Sequence, residues 1–443
     1  MNLFILITAF SIFLAASPLK AKAQTNARKL SLEEAVSATL KNNKAIQLAK
    51  LDENIAESNF KQTASVYLPI VNFSYTAINT NNPLNAFGFK LEQKSISQSD
   101  FNPDLLNHPS GTPDFTTKLE LQQPLVNMDM LYMRRAAQKQ TELYRFKTQR
   151  TQEYLVFETQ KAYLQLQLAY DAVQVLEQAL QTVKLAYTYT DNHFQQGLVQ
   201  KSDLLNVQVQ VATVESNLEK ARSNINNASD YLNLLMGQPM GLIYSTDRIT
   251  DLPLPSADSL LAVPASRADF VVMQKAMEAK NLMIQSDKMS FLPKLNAFGS
   301  YQLNDGRMFG FAANSYLAGL QLSWNIFKGN RTKNSIQSQV FERDRLAVQL
   351  SQQQEEGNRE LAKTKRDIED GRFQIVQYKT AIEQAEESLR ILQNRYNQGL
   401  VSTTELMMAT SQVSQQKLAL AQALFNQNLN KAYLQLLTTS STK

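Results

Sequence analysis

Cysteine is absent from the 443-residue sequence, and histidine occurs only twice. The absence of cysteine excludes thiol catalysis, disulfide bonds and thiolate metal ligands. Neither His108 nor His193 is accompanied by a matching acid and nucleophile, and the sequence holds no phosphate loop, dinucleotide fingerprint or zinc spacing. We therefore expect no enzyme activity, no catalytic residues, no cofactor and no metal site.

The sequence also lacks a large excess of charge of one sign, and it lacks long apolar runs. The formal net charge of +5 is too small to indicate nucleic acid as a partner. The apolar run from Leu3 to Ala16 is too short for a membrane-spanning helix, and the cleavage-type pattern Ala21-Lys22-Ala23 follows it. Residues 1–23 are therefore predicted to be a signal peptide. The exported chain is expected to be soluble or to cross a membrane as β-strands.

Two short stretches of the sequence are nearly identical. Residues 194–199 and 396–401 both end in Gln-Gly-Leu-Val, and an acid followed by leucine comes four residues after each valine. A glycine at the end of a helical pattern typically takes the left-handed conformation. Ser202 and Thr404 are then the predicted N-caps of the following helices. Each stretch is interpreted as the turn of a helical hairpin, although one copy alone would be a common helix terminator.

Apolar periodicity supports two hairpins. Around both turns, apolar and small residues recur at alternating steps of three and four, which is typical of a coiled-coil seam. The chain is therefore predicted to be an internal duplication. The predicted segments are a first repeat (24–237), a connector (238–264), a second repeat (265–437) and a C-terminal tail (438–443).

Each repeat is expected to contain a helix, two strands and a long hairpin. Ser31 and Glu34 form a predicted capping box at the start of the first helix, which covers 30–62. Residues 79–114 have no strong period and are expected to be a long loop. The remaining elements are strands at about 66–78 and 115–125, a turn at 194–200, a helix at about 266–289, strands at about 292–303 and 316–327, and a turn at 396–402.

The four strands alternate apolar and polar residues. Such strands also occur in soluble sheets, but export and very long helices favour a membrane sheet. Transmembrane barrels need about eight strands or more, so the strands of several chains would have to be combined. Two chains would supply eight strands and three would supply twelve, and the alternation alone does not choose between them.

At this point the sequence resembles the TolC-like outer-membrane efflux channels. The resemblance is carried by the two-fold repeat, Pro239, the paired Gly-Leu-Val turns, and the strand starts Tyr67-Leu68-Pro69 and Phe291-Leu292-Pro293. It implies an α+β membrane protein in the outer membrane of a Gram-negative bacterium. Four strands per chain would contribute to a trimeric twelve-stranded β-barrel in contact with lipid, and the helical hairpins would form a periplasmic tunnel.

The resemblance also implies partners and site residues. The hairpin turns would be the tip that meets a periplasmic adaptor protein, which joins the channel to an inner-membrane pump. The implied adaptor-contact residues are Gly197, Leu198, Val199, Gly399, Leu400 and Val401. The implied residues of the periplasmic gate are Asp203, Tyr396, Glu405 and Met408.

Two gate positions depart from the family's pattern. Val401 stands where a basic partner is expected, and Met408 stands at the second acidic position, so one acidic ring would remain at Glu405. Three carboxylates that converge on an axis repel one another, which should raise their apparent pKa and favour cations. Independently of any pore, Asp203 and Glu405 are also interpretable as first-turn acids that complement the helix dipole.

The predicted function is the exit duct of a tripartite efflux or type I secretion system, a passive conduit gated at its periplasmic tip. The alternative is an exported coiled-coil scaffold of the periplasm that forms no pore. Drugs, metal ions, small metabolites and secreted peptides all stay open as substrates, although no His- or Met-rich tract favours a metal specialist. The sequence also leaves open whether 79–114 plugs the barrel or projects outside it.

Overall fold

The computed structural model describes residues 27–253 and 261–441. The predicted signal peptide, residues 254–260 of the predicted connector and residues 442–443 of the predicted tail lie outside the described residues. None of the helices in the described part combines the length and the apolarity needed to cross a membrane.

Both halves of the chain follow the same order of elements. The first half contains β1 (Arg28–Lys29), α1 (Leu32–Asn42), α2 (Lys44–Gln62), β2 (Ile70–Thr80), α3 (Pro83–Glu92), α4 (Pro103–Asn107), β3 (Thr112–Val126), α5 (Met128–Gln195) and α6 (Lys201–Met236). The second half contains β4 (Tyr244–Ser245), α7 (Ala268–Met289), β5 (Lys294–Asp305), β6 (Ala313–Ser323), α8 (Arg331–Asn397) and α9 (Thr403–Thr438). A helix, two strands and a long hairpin occur twice, which confirms the predicted duplication.

The predicted helix 30–62 is two helices, because Asn43 interrupts it. The Asn43 backbone is extended, its Oδ1 accepts from the backbone N–H of Ala45 at 2.8 Å, and its Nδ2 donates to the Leu235 carbonyl at 2.8 Å. Asn43 thus caps α2 and ties the break to α6. The predicted capping box at Ser31 and Glu34 is confirmed, since both of its hydrogen bonds form.

The predicted loop 79–114 contains two helices, so the expectation of a structureless loop was wrong. Asn82 precedes Pro83 and accepts from the backbone N–H of Asn85, and Asn102 precedes Pro103 and accepts from that of Asp104. An asparagine N-cap followed by proline at the first helical position is a helix-start signal. The composition of this segment had been interpreted only as loop-forming.

Four strands form an antiparallel sheet in the order β2-β3-β5-β6. Their bounds differ from the predicted ones because pairing, not alternation, decides where a strand ends. β2 begins at Ile70 rather than 66 because residues 63–66 form a 3₁₀ turn. β6 ends at Ser323 rather than 327 because its partner β5 begins at Lys294, directly after Pro293.

The other two strands are also shifted. β5 covers Lys294–Asp305 instead of 292–303. β3 covers Thr112–Val126 instead of 115–125 and passes through Pro124, which had been expected to end it. Pro124 lies beyond the last residue paired with β2 and at an irregularity of the pairing with β5, so its missing N–H removes no bond to β2.

The two faces of the sheet differ in polarity, as the alternation predicted. One face carries exposed apolar side chains in cross-strand rows, one of which joins Phe73, Leu119, Tyr301 and Tyr316. Phe73 is 70% and Tyr316 is 82% exposed in the single chain. The opposite face is mainly polar and carries Asn72, Ser74, Lys118, Glu120, Ser300, Gln302, Asn304, Ser315 and Gln321. An apolar face of this extent needs a covering that the chain itself does not provide.

The helices that adjoin the strands pack side by side in the same order as the strands. α2 leads into β2, α5 follows β3, α7 leads into β5 and α8 follows β6. Helix α5 packs against both α2 and α7, and α8 packs against α7, so the helical layer runs α2-α5-α7-α8. Sheet and helices therefore form one continuous layer, with β2 and α2 at one edge and β6 and α8 at the other.

Beyond this layer, each repeat folds into its hairpin. Helices α5 and α6 pair with each other, as do α8 and α9, and α9 also packs against α5. The predicted coiled-coil seam is buried most fully in the first hairpin, whose buried members on α6 are Leu204, Val207, Val214, Leu218, Ala221, Ile225, Leu232 and Leu235. Burial of this stripe supplies the free energy that holds the two helices together.

The connector between the repeats is bound to the body along its described part. β4 pairs in parallel with β1. Asn428 on α9 donates to the Thr250 carbonyl at 2.7 Å and accepts from the backbone N–H of Leu252 at 3.0 Å. Buried Lys431 forms an ion pair with Asp251. The connector therefore joins the N-terminal strand to the last helix around the outside of the hairpins.

We predict that Asn43→Ala lowers the free energy of unfolding by about 1–3 kcal/mol, because α2 loses its cap and the Leu235 carbonyl loses a buried donor. Thermal unfolding of the detergent-purified protein, followed by circular dichroism, measures the effect. Asn43→Asp keeps the capping oxygen but not the amide donor, so its loss should be intermediate. Equal stability of Asn43→Ala and wild type would show that the break is not held by this side chain.

Candidate functional site at the hairpin turns

The two hairpin turns have the same backbone geometry. Gly197 and Gly399 both have φ of +74°, and an added Cβ would meet nothing within 4 Å at either position. Leu198 N–H donates to the His193 carbonyl at 2.9 Å, and Leu400 N–H donates to the Arg395 carbonyl at 3.0 Å. These are the six-to-one bonds of a Schellman motif, so the predicted left-handed glycines are confirmed. The glycines are required by backbone conformation and not by crowding.

The predicted N-caps after the turns were wrong by two residues. The caps are Gln200 and Ser402 rather than Ser202 and Thr404. Helix α6 begins at Lys201 and α9 at Thr403, so each turn is two residues shorter than expected. Ser402 Oγ accepts from the backbone N–H of Glu405 at 3.3 Å, and Glu405 accepts from the backbone N–H of Ser402 at 2.9 Å.

Both acids of the predicted gate thus take part in capping boxes. The Asp203 carboxylate accepts from the backbone N–H of Gln200 at 3.2 Å. The hydrogen bonds from the backbone and hydroxyl of Ser402 lower the pKa of Glu405 from its usual value. A lowered pKa means that the stabilising charge is present above the usual titration range of glutamate and is lost as the pH falls through the lowered pKa. The repulsion predicted for three converging carboxylates would instead raise the pKa of Glu405.

The apolar residues of the turns face solvent in the single chain. Leu198 is 65% and Leu400 is 64% exposed, and Met408 on α9 is 67% exposed. Val199 and Val401 are half-buried. Two equivalent exposed leucines at the end of a coiled coil form a small apolar surface that is available to another helix.

Tyr396 occupies a different environment from the other predicted gate residues. It is only 4% exposed and packs with Ala186 of α5 and Leu406 of α9. Its hydroxyl lies 3.0 Å from Thr190 Oγ1 and 3.2 Å from Thr403 Oγ1. Because Thr190 donates its proton to the Ala186 carbonyl, the Tyr396 hydroxyl donates to Thr190 and Thr403 donates to Tyr396. This chain of hydrogen bonds joins the two hairpins.

The resemblance implied that Tyr396 and Asp203 belong to the same set of polar links. In the structure the hydroxyl partners of Tyr396 are Thr190 and Thr403, while Asp203 caps its own helix. Thr190 and Thr403 were not identified from the sequence. Thr403 stands directly after the second turn, which is a local signal for a role there, but Thr190 carries no such signal.

An aromatic stack extends this contact along α5. The Tyr189 ring lies 4.6 Å from the Tyr396 ring and 4.0 Å from the His193 ring, and its hydroxyl donates to the Tyr396 carbonyl at 3.2 Å. His193 Nδ1 lies 3.0 Å from the Tyr189 carbonyl and therefore donates a proton to it. The histidine beside the turn thus has a structural environment of packed rings.

Above the turns, a groove separates the two hairpins on one side. It is lined by both polar and apolar residues of α5, α8 and α9, and the Lys417 amine there pairs with Glu386 at 2.7 Å. Within residues 27–253 and 261–441, no group of three or more His, Cys, Asp or Glu side chains is arranged to hold a metal ion. The described arrangement at the turns is suited to contact between helices.

Comparison with solved structures identifies the fold. The Campylobacter jejuni CmeC outer membrane channel is similar with a TM-score of 0.79 and 17% sequence identity, over 100% of this chain and 96% of that chain. The architecture described above is therefore that of the outer-membrane channels. The outer membrane efflux protein family matches residues 35–238 and 262–439, and the chain belongs to this family.

Curated relatives agree with this assignment. Outer membrane protein TolC of Escherichia coli (strain K12) is 24% identical over 303 residues, which cover 64% of this chain and 61% of TolC. Cation efflux system protein CusC of Escherichia coli (strain K12) is 21% identical over 266 residues, which cover 59% of this chain and 53% of CusC. The matched part spans less than two thirds of either relative.

Membership of the family confirms the predicted localisation. The protein is located in the outer membrane of a Gram-negative bacterium, with a helical extension in the periplasm. The family is one of channels and not one of enzymes.

We predict that Tyr396→Phe weakens the contact between the hairpins by about 1 kcal/mol, because buried Thr190 and half-buried Thr403 lose the hydroxyl group they share as a partner. Hydrogen–deuterium exchange of the amides near both turns should rise about fivefold, as expected for such a change in local opening. Tyr187→Phe is the matched control, since the Tyr187 hydroxyl accepts from Gln208 Nε2 within its own hairpin. Identical exchange in both variants would contradict the link.

Proposed function

We propose that the protein is the exit duct of a tripartite efflux or type I secretion assembly. Three copies form a passive conduit through the outer membrane, which is closed at the hairpin turns, and the chain itself performs no catalysis. The observation that carries the proposal is the sheet with one exposed apolar face and two unpaired edges, β2 and β6.

The edges of the sheet require other copies. Backbone groups that are unpaired in lipid cost several kcal/mol each, so a four-stranded sheet cannot lie in a membrane alone. Pairing β2 of one protomer with β6 of the next removes both edges and closes a barrel. Three copies supply the twelve strands that the resemblance implies, with the apolar face toward lipid and the polar face toward water.

The helical layer supports the same closure. Helix α2, which leads into β2, carries an exposed apolar stripe of Leu48, Leu51 and Ile55. Helix α8, which follows β6, carries exposed Phe341 and Val348. Pairing β2 with β6 of the next protomer brings these two helices together, so that their apolar residues are buried in the same step. The three walls then enclose one continuous passage.

The hairpin turns are the proposed gate and the proposed contact with a periplasmic adaptor, which links the duct to an inner-membrane pump. Gly197, Leu198 and Val199 present one apolar surface, and Gly399, Leu400 and Val401 present an equivalent one. Two such surfaces per chain offer an adaptor helical hairpin repeated docking positions. The proposed gate residues are Tyr396, Glu405 and Met408 on the second hairpin and Asp203 at the start of α6 in the first.

A planar-bilayer experiment tests the duct and its gate. We predict discrete single-channel steps from the purified mature protein and lower cation selectivity in both Glu405→Gln and Glu405→Ala, because both variants remove the acidic ring. Glutamine can still accept from the Ser402 N–H, so only the alanine variant should also destabilise the start of α9. This pair separates the charge of Glu405 from its capping role.

The other outcomes of the bilayer experiment show which part of the proposal is wrong. Steps that are insensitive to both substitutions would move the constriction away from Glu405, and Met408 would be examined next. A stable, detergent-free oligomer without conductance would support the exported coiled-coil scaffold instead.

A second experiment tests the adaptor contact. We predict that the double variant Leu198→Glu, Leu400→Glu abolishes efflux while its amount in the outer membrane stays at the wild-type level, because charge is introduced only at the exposed turns. Complementation of a strain that lacks this channel provides the measurement. Leu234→Glu is the control, since Leu234 is similarly exposed but lies near the opposite end of α6. Full complementation by the double variant would exclude the turns as the contact.

A further inference from the structure

One end of the polar face of the sheet is buried, although the rest of that face is not. Asp114 and Asn304 are each 1% exposed, and Thr112 and Ala313 are also buried. Cross-strand pairing joins Thr116 to Asn304 and Asn304 to Ala313, and Asp114 lies two residues before Thr116 on the same strand. Since side chains two residues apart share a face, the buried residues all lie on the polar face.

Helix α3 and the residue that follows it cover this buried end. Gln93 donates through Nε2 to the Pro113 carbonyl at 2.9 Å and to Asp114 Oδ1 at 2.9 Å. Asn304 Nδ2 lies 3.4 Å from Glu92 Oε2 and donates to Thr116 Oγ1 at 2.8 Å. The buried carboxylate of Asp114 is therefore satisfied by the amides of Gln93 and Asn304 and by the hydroxyl of Thr116, and the bond from Gln93 comes from the segment that covers it.

The covering segment, residues 81–111, also has its own internal contacts. Lys90 and Asp100 form an ion pair at 2.6 Å. Asp100 also accepts from the backbone N–H of Ser97 at 2.7 Å, and the hydrogen bond from Lys90 together with those from Ser97 lowers the pKa of Asp100 to about 2. The segment is thus a folded unit seated on the polar face, and not an extended loop that projects from the strands.

The neighbouring turn between β5 and β6 folds over the other face of the sheet, the apolar one. The backbone N–H of Phe309 donates to the Tyr75 hydroxyl at 3.0 Å, and the two rings stack at 5.4 Å. Tyr75 lies two residues from Phe73 and therefore on the apolar face. At the same end of the sheet, one connection folds over the polar face and the other folds over the apolar face.

From this we propose that residues 81–111 are a lid that folds into the lumen and forms a second constriction, at the outer end of the duct. The proposal rests on the proposed channel, because the polar face becomes the lumen only when several copies close a barrel. The turn around Phe309 would then lie on the outside, where aromatic side chains suit the membrane–water interface.

The exposed surface of the lid explains how a constriction would close. Leu84 is 80% exposed, and Leu91, Phe101 and Leu105 are also exposed in the single chain. In a closed barrel three lids converge on one axis, so these apolar side chains can contact their counterparts in the other two copies. Such a contact would narrow the outer mouth and slow the passage of water-soluble molecules.

The experiment measures distances between spin labels in the detergent-purified trimer, and the absence of native cysteine allows one label per chain. Leu84→Cys places the label on the lid, and Met308→Cys places it on the exposed β5–β6 turn. We expect shorter distances between protomers at position 84 than at position 308. Equal or longer distances at position 84 would overturn the lid. Absence of any coupling between protomers at both positions would overturn the proposed trimeric channel, and the lid with it.

A second pair of variants tests whether the lid constricts the duct. Gln93→Ala removes the hydrogen bonds to Pro113 and Asp114, whereas Gln98→Ala changes an exposed residue of the same segment. We expect Gln93→Ala to lengthen the distances at position 84 and to raise the single-channel conductance, with no change for Gln98→Ala. Longer distances without a rise in conductance would show that the lid does not limit flow.

Discussion

The unpaired backbone groups along the outer edges of β2 and β6 are the constraint on which the rest of the structure depends. In lipid these groups have no water to bind, so they require a strand from another copy. The order of the strands also sets the order of the helices, because α2, α5, α7 and α8 each adjoin one strand in sequence and pack in the same order as those strands. The two edges of the sheet that need a partner, β2 and β6, therefore continue into the two helices that carry exposed apolar residues, α2 and α8.

The polarity of the sheet follows from the same requirement. An alternating strand has one apolar and one polar face, and a closed barrel gives these faces to lipid and to water. The connections at the far end of the sheet follow this division. The segment with α3 satisfies the buried carboxylate of Asp114 on the polar face, whereas Phe309 stacks on Tyr75 on the apolar face.

At the other end of the molecule, local and long-range interactions act on the same few residues. Glu405 completes a capping box, and this contact by itself accounts for an acid at that position. Its exposure at the start of α9 leaves its charge available to a pore. Tyr396, in contrast, is buried where the two hairpins meet, and its hydroxyl connects Thr190 of the first to Thr403 of the second. Movement of one hairpin relative to the other would have to break these bonds.

The sequence by itself determined the features that depend on neighbouring residues. The left-handed glycines of the turns, the capping box at Ser31, the coiled-coil seam, the duplication and the polarity of the strands all follow from local backbone preference or from periodicity. The family resemblance was also carried by such local features, and the family match agrees with it.

Tertiary structure decided what depends on distant partners. The break at Asn43 is stabilised by the Leu235 carbonyl, and the end of β6 is set by the start of β5. The fold of 81–111 over the polar face depends on Asp114 and Asn304, and Thr190, one partner of Tyr396, lies 206 residues away from it. No periodicity in one segment reports these contacts, because each of them forms only when separate elements have been brought together by the pairing of the strands and the packing of the hairpins.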